Sequence, residues 1–123
     1  MVRRSLLEAV ESTILDTEPA LRDRLQQITI TLAQQEVKLW QLSTLETFSP
    51  AQLRQLFELR IALTRLAVET VWLELEAKGG NAYLKPSGTA RRLREVAFLP
   101  VLTPSLVQLE TELKRYALVE EVV

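Results

Sequence analysis

The architecture of this chain is set by residues 49–80, which read SPAQLRQLFELRIALTRLAVETVWLELEAKGG. Ser49 and Gln52 have the spacing of a capping box, and Pro50 suits the first position of a helix. The run continues to Lys78 without a glycine or a further proline, so it predicts one helix of about 40 Å at 1.5 Å per residue. Apolar residues lie nearly all round this helix, and we therefore expect neighbouring helices to cover it on several sides and part of it to pack against a second subunit.

A second long helix is predicted before this one. Thr17 can cap a helix that begins at Pro19 and reaches about Thr44. The break before Ser49 is short, so the two long helices should form an antiparallel hairpin. The residues expected to face the core are Leu21, Leu25, Ile28, Leu32, Leu39 and Leu42, widened by Ile30, Ala33, Val37 and Trp40.

Three shorter helices complete the prediction, over residues 5–16, 89–98 and 103–119. Ser5 and Glu8 have capping-box spacing at the first, and Thr103 with Pro104 gives a cap and a proline start to the last. Gly79 or Gly80 should adopt a left-handed conformation that ends the central helix. The predicted fold is all-α, an antiparallel four-helix bundle with a short extra helix, in a single domain over residues 1–123. The inner face of the last helix is expected to be Leu106, Leu109, Leu113 and Tyr116.

Composition narrows the possible functions. With 47% apolar and 25% charged residues, the 123-residue chain has enough apolar material for one core. It has no cysteine and no histidine, so thiolate chemistry is excluded, as are the commonest general base and the commonest zinc ligand. The net charge is −1 with both signs interspersed, and we therefore expect no nucleic-acid or membrane partner. Because the chain lacks cysteine and histidine, we expect no metal partner, and the absence of cysteine fits the cytoplasmic location that we expect.

The residues that follow the glycine pair occur in a distinctive order. Gly79 and Gly80 are followed by Asn81-Ala82-Tyr83 and then by the run Arg91-Arg92-Leu93-Arg94-Glu95. In this order the chain resembles the C-terminal helical domain of acyl-CoA dehydrogenases, whose pattern is Gly-Gly-x-Gly-Tyr followed by Arg-x-x-Arg-Asp. The resemblance covers about residues 20–118, and the family's flavin-binding domains have no counterpart in these 123 residues.

The resemblance implies a cofactor interface at the glycine turn. In that family a neighbouring subunit's flavin dinucleotide passes this turn, which makes Gly79, Gly80 and Asn81 the candidate cofactor-binding residues. Two residues depart from the pattern, since Ala82 replaces the third glycine and Glu76 replaces a usual glutamine.

The arginine run is interpreted as structural. The resemblance matches Arg91 and Arg94 to paired arginines that tie the last helices together, and Glu95 replaces the usual aspartate. Without the resemblance, Arg91, Arg92 and Arg94 are expected to form a solvated face that pairs with acidic residues.

No catalytic residue is predicted. Many members of the family carry a catalytic glutamate where this chain has Leu102, Thr103 and Pro104, and a threonine hydroxyl is not a base near neutral pH. Some branches of the family place the base on another helix, which makes the glutamates of the predicted helices the alternative candidates. Because the resemblance does not extend to the family's flavin-binding domains, FAD is expected only in a larger assembly, and no cofactor is expected for the isolated chain. We interpret Glu36, Glu58, Glu69 and Glu74 as solvated, and Trp40 and Trp72 as core residues.

Three functions compete at this point. The first is an acyl-CoA dehydrogenase-like association and cofactor-interface module, homo-oligomeric and not catalytic alone, with a flavin-domain protein as a further partner. The second is a component of an FAD-dependent acyl-CoA oxidoreductase that a flavin-binding chain completes. The third is an unrelated helical adaptor whose glycine pair only ends a helix.

Overall fold

The computed structural model describes residues 1–13, 19–83, 87–102 and 104–122, and its regular structure there is helical throughout. The all-α prediction is confirmed. The helices are α1 (Val2–Thr13), α2 (Pro19–Ser43), α3 (Pro50–Lys78), α4 (Gly88–Phe98) and α5 (Leu106–Val122), with a 3₁₀ turn at Gly80–Tyr83 between α3 and α4.

Capping boxes begin two of these helices. At α3 the Ser49 N–H donates to Gln52 Oε1 over 2.9 Å, and the Gln52 N–H donates to Ser49 Oγ over 3.2 Å, which confirms the predicted box. At α5 Ser105 and Gln108 make the same reciprocal pair, at 2.7 and 3.2 Å. This helix therefore begins at Leu106 and not at the predicted Pro104. The predicted caps Thr103 and Thr17 lie outside the described residues.

The predicted capping box at α1 is wrong. The helix begins at Val2, and the Ser5 N–H already donates to the Met1 carbonyl over 2.9 Å. Ser5 therefore lies inside the helix and is fully buried. Its hydroxyl faces α3, where it donates to Glu74 Oε2 over 3.5 Å.

Helix α3 is the central element. It packs against α1, α2, α4, α5 and the 3₁₀ turn, whereas α2, α4 and α5 pack mainly against α3 and little against one another. The expectation that α3 is covered on several sides is confirmed. Residues 44–49 are too few for any arrangement of the packed α2 and α3 other than an antiparallel hairpin.

The core has two parts. The larger joins α1, α2 and α3, with the buried residues Ala9, Leu25, Ile28, Leu32, Leu66 and Leu73. The smaller joins α3 and α4 through Ala67, Val71 and Val96. Helix α5 adds the buried Leu109, an ion pair from Glu110 to Arg65, and a ring contact between Phe57 and Tyr116.

Several apolar residues predicted to lie in the core are exposed. On α2, Leu25, Ile28, Leu32 and Leu42 are buried, but Leu39 is 43% exposed, and Ala33 also faces solvent. The predicted core position is likewise wrong for both tryptophans. The exposed fractions are 46% for Ile30, 56% for Val37, 71% for Trp40 and 49% for Trp72. The physical reason at α2 is that α1 and α3 cover only one side of this helix.

Candidate functional site

Gly79 has the positive φ that was predicted for the end of α3, but its ψ is extended, so it does not adopt the predicted left-handed helical conformation. Gly79 adopts φ 82° and ψ −178°, and its N–H donates to the Leu75 carbonyl over 2.8 Å, which ends α3. A methyl group built on Gly79 or Gly80 would meet no atom of the described residues within 4 Å. Asn81 belongs to the 3₁₀ turn that follows. The turn therefore leaves room for a second molecule to approach its backbone.

An apolar groove lies beside this turn, between α3, the 3₁₀ turn and α4. Its volume is about 510 Å³, within the range of small-molecule sites in proteins. Two large aromatic side chains line it and remain partly in solvent, Trp72 at 49% and Tyr83 at 65% exposed. We call it the α3–α4 groove, and its lining residues are Val68, Trp72, Tyr83, Ala90, Leu93, Arg94, Val96, Ala97 and Pro100.

The three arginines of α4 have three different environments. Arg91 is exposed and pairs with Glu95 of the same helix over 3.5 Å. This fits a solvated face and not the tie between the last helices that the resemblance implies. Arg94 lines the groove and has no hydrogen-bond or ion-pair partner among the described residues. Arg92 is buried against α3, so its predicted solvated position is wrong.

Arg92 forms a buried ion pair with Glu74. Its Nε donates to Glu74 Oε2 over 3.1 Å, and its Nη2 donates to Glu74 Oε1. The hydrogen bond from Arg92 to Glu74 raises the pKa of Arg92 above its usual value. Glu74 is fully buried and also accepts from the Ser5 hydroxyl, so the prediction that Glu74 is solvated is wrong. This pair ties α1, α3 and α4 together.

Gly88 makes room for the guanidinium of that pair. A methyl group at Gly88 would lie 3.3 Å from Arg92 Nη1, closer than most Cβ contacts. The side chain of Arg92 therefore passes directly over the first turn of α4 on its way to Glu74.

A second ion-pair cluster joins α1 to α3. Lys78 Nζ donates to Glu8 Oε2 over 2.6 Å, and Arg4 pairs with the other oxygen of Glu8. The hydrogen bond from Lys78 is the main cause that lowers the pKa of Glu8. Glu8 was predicted to cap α1, and it instead fastens α1 to the last turn of α3.

The other candidate acids are surface residues. Glu36 pairs with Arg3 over 2.5 Å and Glu58 pairs with Arg54 over 3.4 Å. Glu69 is exposed. Glu76, one of the residues that depart from the family pattern, pairs with Arg24 of α2 over 2.5 Å. Its carboxylate is thus engaged in joining α2 to α3.

The segment that follows α4, residues 99–105, contains no acidic residue. Arg60 of α3 donates to the carbonyls of Leu99 and Leu102, over 3.2 and 3.4 Å. The guanidinium thereby satisfies the carbonyl of the C-cap residue of α4, Leu99, and a second carbonyl in the turn that follows. The Leu102 side chain is half exposed, and its neighbour Thr103 lies outside the described residues.

Comparison of the chain with known protein families, with curated proteins and with solved structures found no match in any of the three. In the part of the chain that the structure describes, no three acidic side chains are grouped so as to hold a metal ion. No helix within residues 1–13, 19–83, 87–102 and 104–122 is long and apolar enough to cross a bilayer.

Replacing Gly79 with alanine is expected to lower the free energy of unfolding by about 1–3 kcal/mol. The reason is that φ 82° with ψ −178° is a backbone region that essentially only glycine occupies. Gly80→Ala is the matched control, because Gly80 has no positive φ and equal space around it. We expect it to change stability by less than about 1 kcal/mol. Urea unfolding followed by circular dichroism compares the two, and equal losses would contradict this account.

Proposed function

We propose that this chain is a helical association module, related in architecture to the four-helix C-terminal domain of acyl-CoA dehydrogenases and not catalytic on its own. It assembles with further copies of itself. In that assembly the turn formed by Gly79, Gly80 and Asn81 faces a flavin dinucleotide held by a partner chain. The isolated chain itself holds no cofactor.

The observation that carries this proposal is an apolar stripe on the outer side of α2. Ile30, Ala33, Val37 and Trp40 follow one another at intervals of three, four and three residues, which is the a/d spacing of a helix–helix seam. All four are exposed, and we call them the α2 seam. They lie on the side of α2 away from the buried Ile28.

Exposing this stripe is costly in a lone molecule. Burying a large apolar side chain contributes roughly 1.5–3 kcal/mol, and Trp40 at 71% exposed forgoes most of that contribution. A contiguous exposed apolar surface commonly marks a site of protein–protein contact. An antiparallel or parallel copy of α2 would cover the seam with residues of the same kind.

The surroundings of the buried Glu74 support a structural role for this residue and not a catalytic one. Its carboxylate is enclosed by Arg92 and Ser5, and a general base must reach the proton that it abstracts. The pair instead serves to hold three helices in place. The open turn at Gly79 and Gly80 supports the interface role, because no atom of the described residues lies within 4 Å of a methyl group built on either glycine.

Light scattering after size exclusion tests the association. The wild-type chain is expected to form a dimer or larger assembly, and Trp40→Glu is expected to weaken it by about 2–4 kcal/mol, as for a central interface residue. Gln27→Glu adds the same charge to an exposed site on α2 outside the seam and should leave the assembly intact. A wild-type chain that stays monomeric at every accessible concentration would refute the proposal.

A further inference from the structure

The α3–α4 groove has the properties of a site for a small organic molecule. It is concave, about 510 Å³ in volume, and opens to solvent beside the 3₁₀ turn. The residues on its walls are apolar or aromatic apart from one, Arg94. Ligand sites in proteins commonly combine such walls with a single polar group that fixes the orientation of the ligand.

The aromatic rings at this groove favour a flat ligand. Trp72 comes from α3 and Tyr83 from the 3₁₀ turn, so the rings reach the groove from two different elements. Both are about half exposed or more. Stacking of an aromatic ring on a planar partner contributes binding free energy beyond that of the buried area alone. We therefore expect a flat aromatic ligand to bind most favourably between these two rings.

The charge at this groove favours an anion. Arg94 is the one charged residue among the described residues that line it, and it has no acidic partner there. The neighbouring guanidiniums of Arg91 and Arg92 are occupied by Glu95 and Glu74. A guanidinium presents a planar fork that matches a carboxylate with two hydrogen bonds.

We propose that the α3–α4 groove binds aromatic carboxylates, with the ring between Trp72 and Tyr83 and the carboxylate on Arg94. The site is separate from the α2 seam, since none of its lining residues belongs to α2. The groove is open, so for a ligand of two fused rings we expect a Kd on the order of 1 mM or tighter.

The test uses 2-naphthoate and nuclear magnetic resonance of the indole N–H groups. The chain has two tryptophans, and Trp40→Phe assigns their two signals. Naphthoate is expected to shift the signal of Trp72, which lines the groove, and to leave that of Trp40 in place. Movement of neither signal, or of the Trp40 signal instead, would overturn the proposal.

Two matched comparisons test the role of the charge. 2-Naphthalenemethanol has a similar shape without the charge and should bind about tenfold more weakly, the low end for losing a hydrogen bond to a charged group. Arg94→Gln should reduce naphthoate binding about tenfold, to the level of the alcohol. Arg91→Gln, on the same helix but outside the groove, should change it less than about twofold. Equal binding of acid and alcohol, or unchanged binding by Arg94→Gln, would refute a carboxylate site.

A last arm separates this inference from the proposed association. The titration is repeated with Trp40→Glu, in which the α2 seam is disrupted and Trp72 is the remaining indole. Unchanged naphthoate binding in this variant supports a groove site that is independent of assembly. Loss of binding there would place the ligand at the contact between copies and overturn the proposal.

Discussion

Replacing Arg92 with methionine is expected to lower the free energy of unfolding by about 3–5 kcal/mol. The substitution keeps a side chain of similar length but removes the guanidinium, which leaves the fully buried Glu74 carboxylate without its ionic partner. The Ser5 hydroxyl remains, but at 3.5 Å it makes a long hydrogen bond to Glu74. A buried charge that loses its partner keeps its full desolvation cost. Urea unfolding followed by circular dichroism measures the loss.

Two controls make the Arg92 result specific. Arg91→Met is the same substitution one residue earlier, at an exposed arginine, and should cost less than about 0.5 kcal/mol. The double variant Glu74→Met with Arg92→Met should recover most of the loss, because an apolar pair of similar volume removes both buried charges. If Arg92→Met does not fold, a double variant that does fold still supports the ion-pair explanation. A double variant that is no more stable than Arg92→Met would contradict the ion-pair explanation.

Replacing Leu73 with alanine is expected to cost about 2–5 kcal/mol. Leu73 is fully buried in the larger part of the core, where α3 meets α1 and α2. The cost has two parts, which are the apolar surface no longer buried and the cavity that the missing atoms leave. Helix α3 contacts every other element, so its backbone has little freedom to move and close the cavity. Chemical unfolding at a fixed protein concentration measures the change.

The matched control for Leu73→Ala is Leu118→Ala on α5. Leu118 is 63% exposed, so the same atoms are removed with little loss of packing. We expect a change within about 0.5 kcal/mol. A loss at Leu118 as large as that at Leu73 would mean that α5 is covered in a way that the single chain does not show, and would contradict the burial on which the comparison depends.

The ends of the helices were predictable because their signals are local. The Ser49 and Gln52 box, the proline at position 50 and the glycine at position 79 each act on the backbone within one turn of themselves. Their effect is therefore readable without knowing any neighbour. The failure at α1 follows the same logic, because Ser5 and Glu8 have capping-box spacing but the helix had already begun at Val2.

The candidate sites were only partly predictable. The glycine turn was found from its sequence, and Gly79 has the expected positive φ. The groove beside it was missed, because Trp72 was assigned to the core on the general behaviour of tryptophan. The spacing of the apolar residues Val68, Trp72 and Leu75 along α3 did not indicate which side of α3 would remain uncovered by α4. Without the resemblance, the sequence does not distinguish Arg94 from Arg91 and Arg92, and only packing separated the three.

The sequence by itself determined that the chain is helical, where its long helices begin and end, and that α3 needs neighbours on several sides, since propensity, caps and breakers act over a few residues. Only the tertiary structure decided which side chains those neighbours cover. Glu74 and Glu69 are both glutamates in the middle of an apolar helical sequence. Glu74 is nevertheless buried, because Arg92, 18 residues further along the chain, packs onto it. Trp40 is exposed because no described helix lies on the outer side of α2. Burial depends on contacts between residues distant in sequence, and local patterns do not specify those contacts.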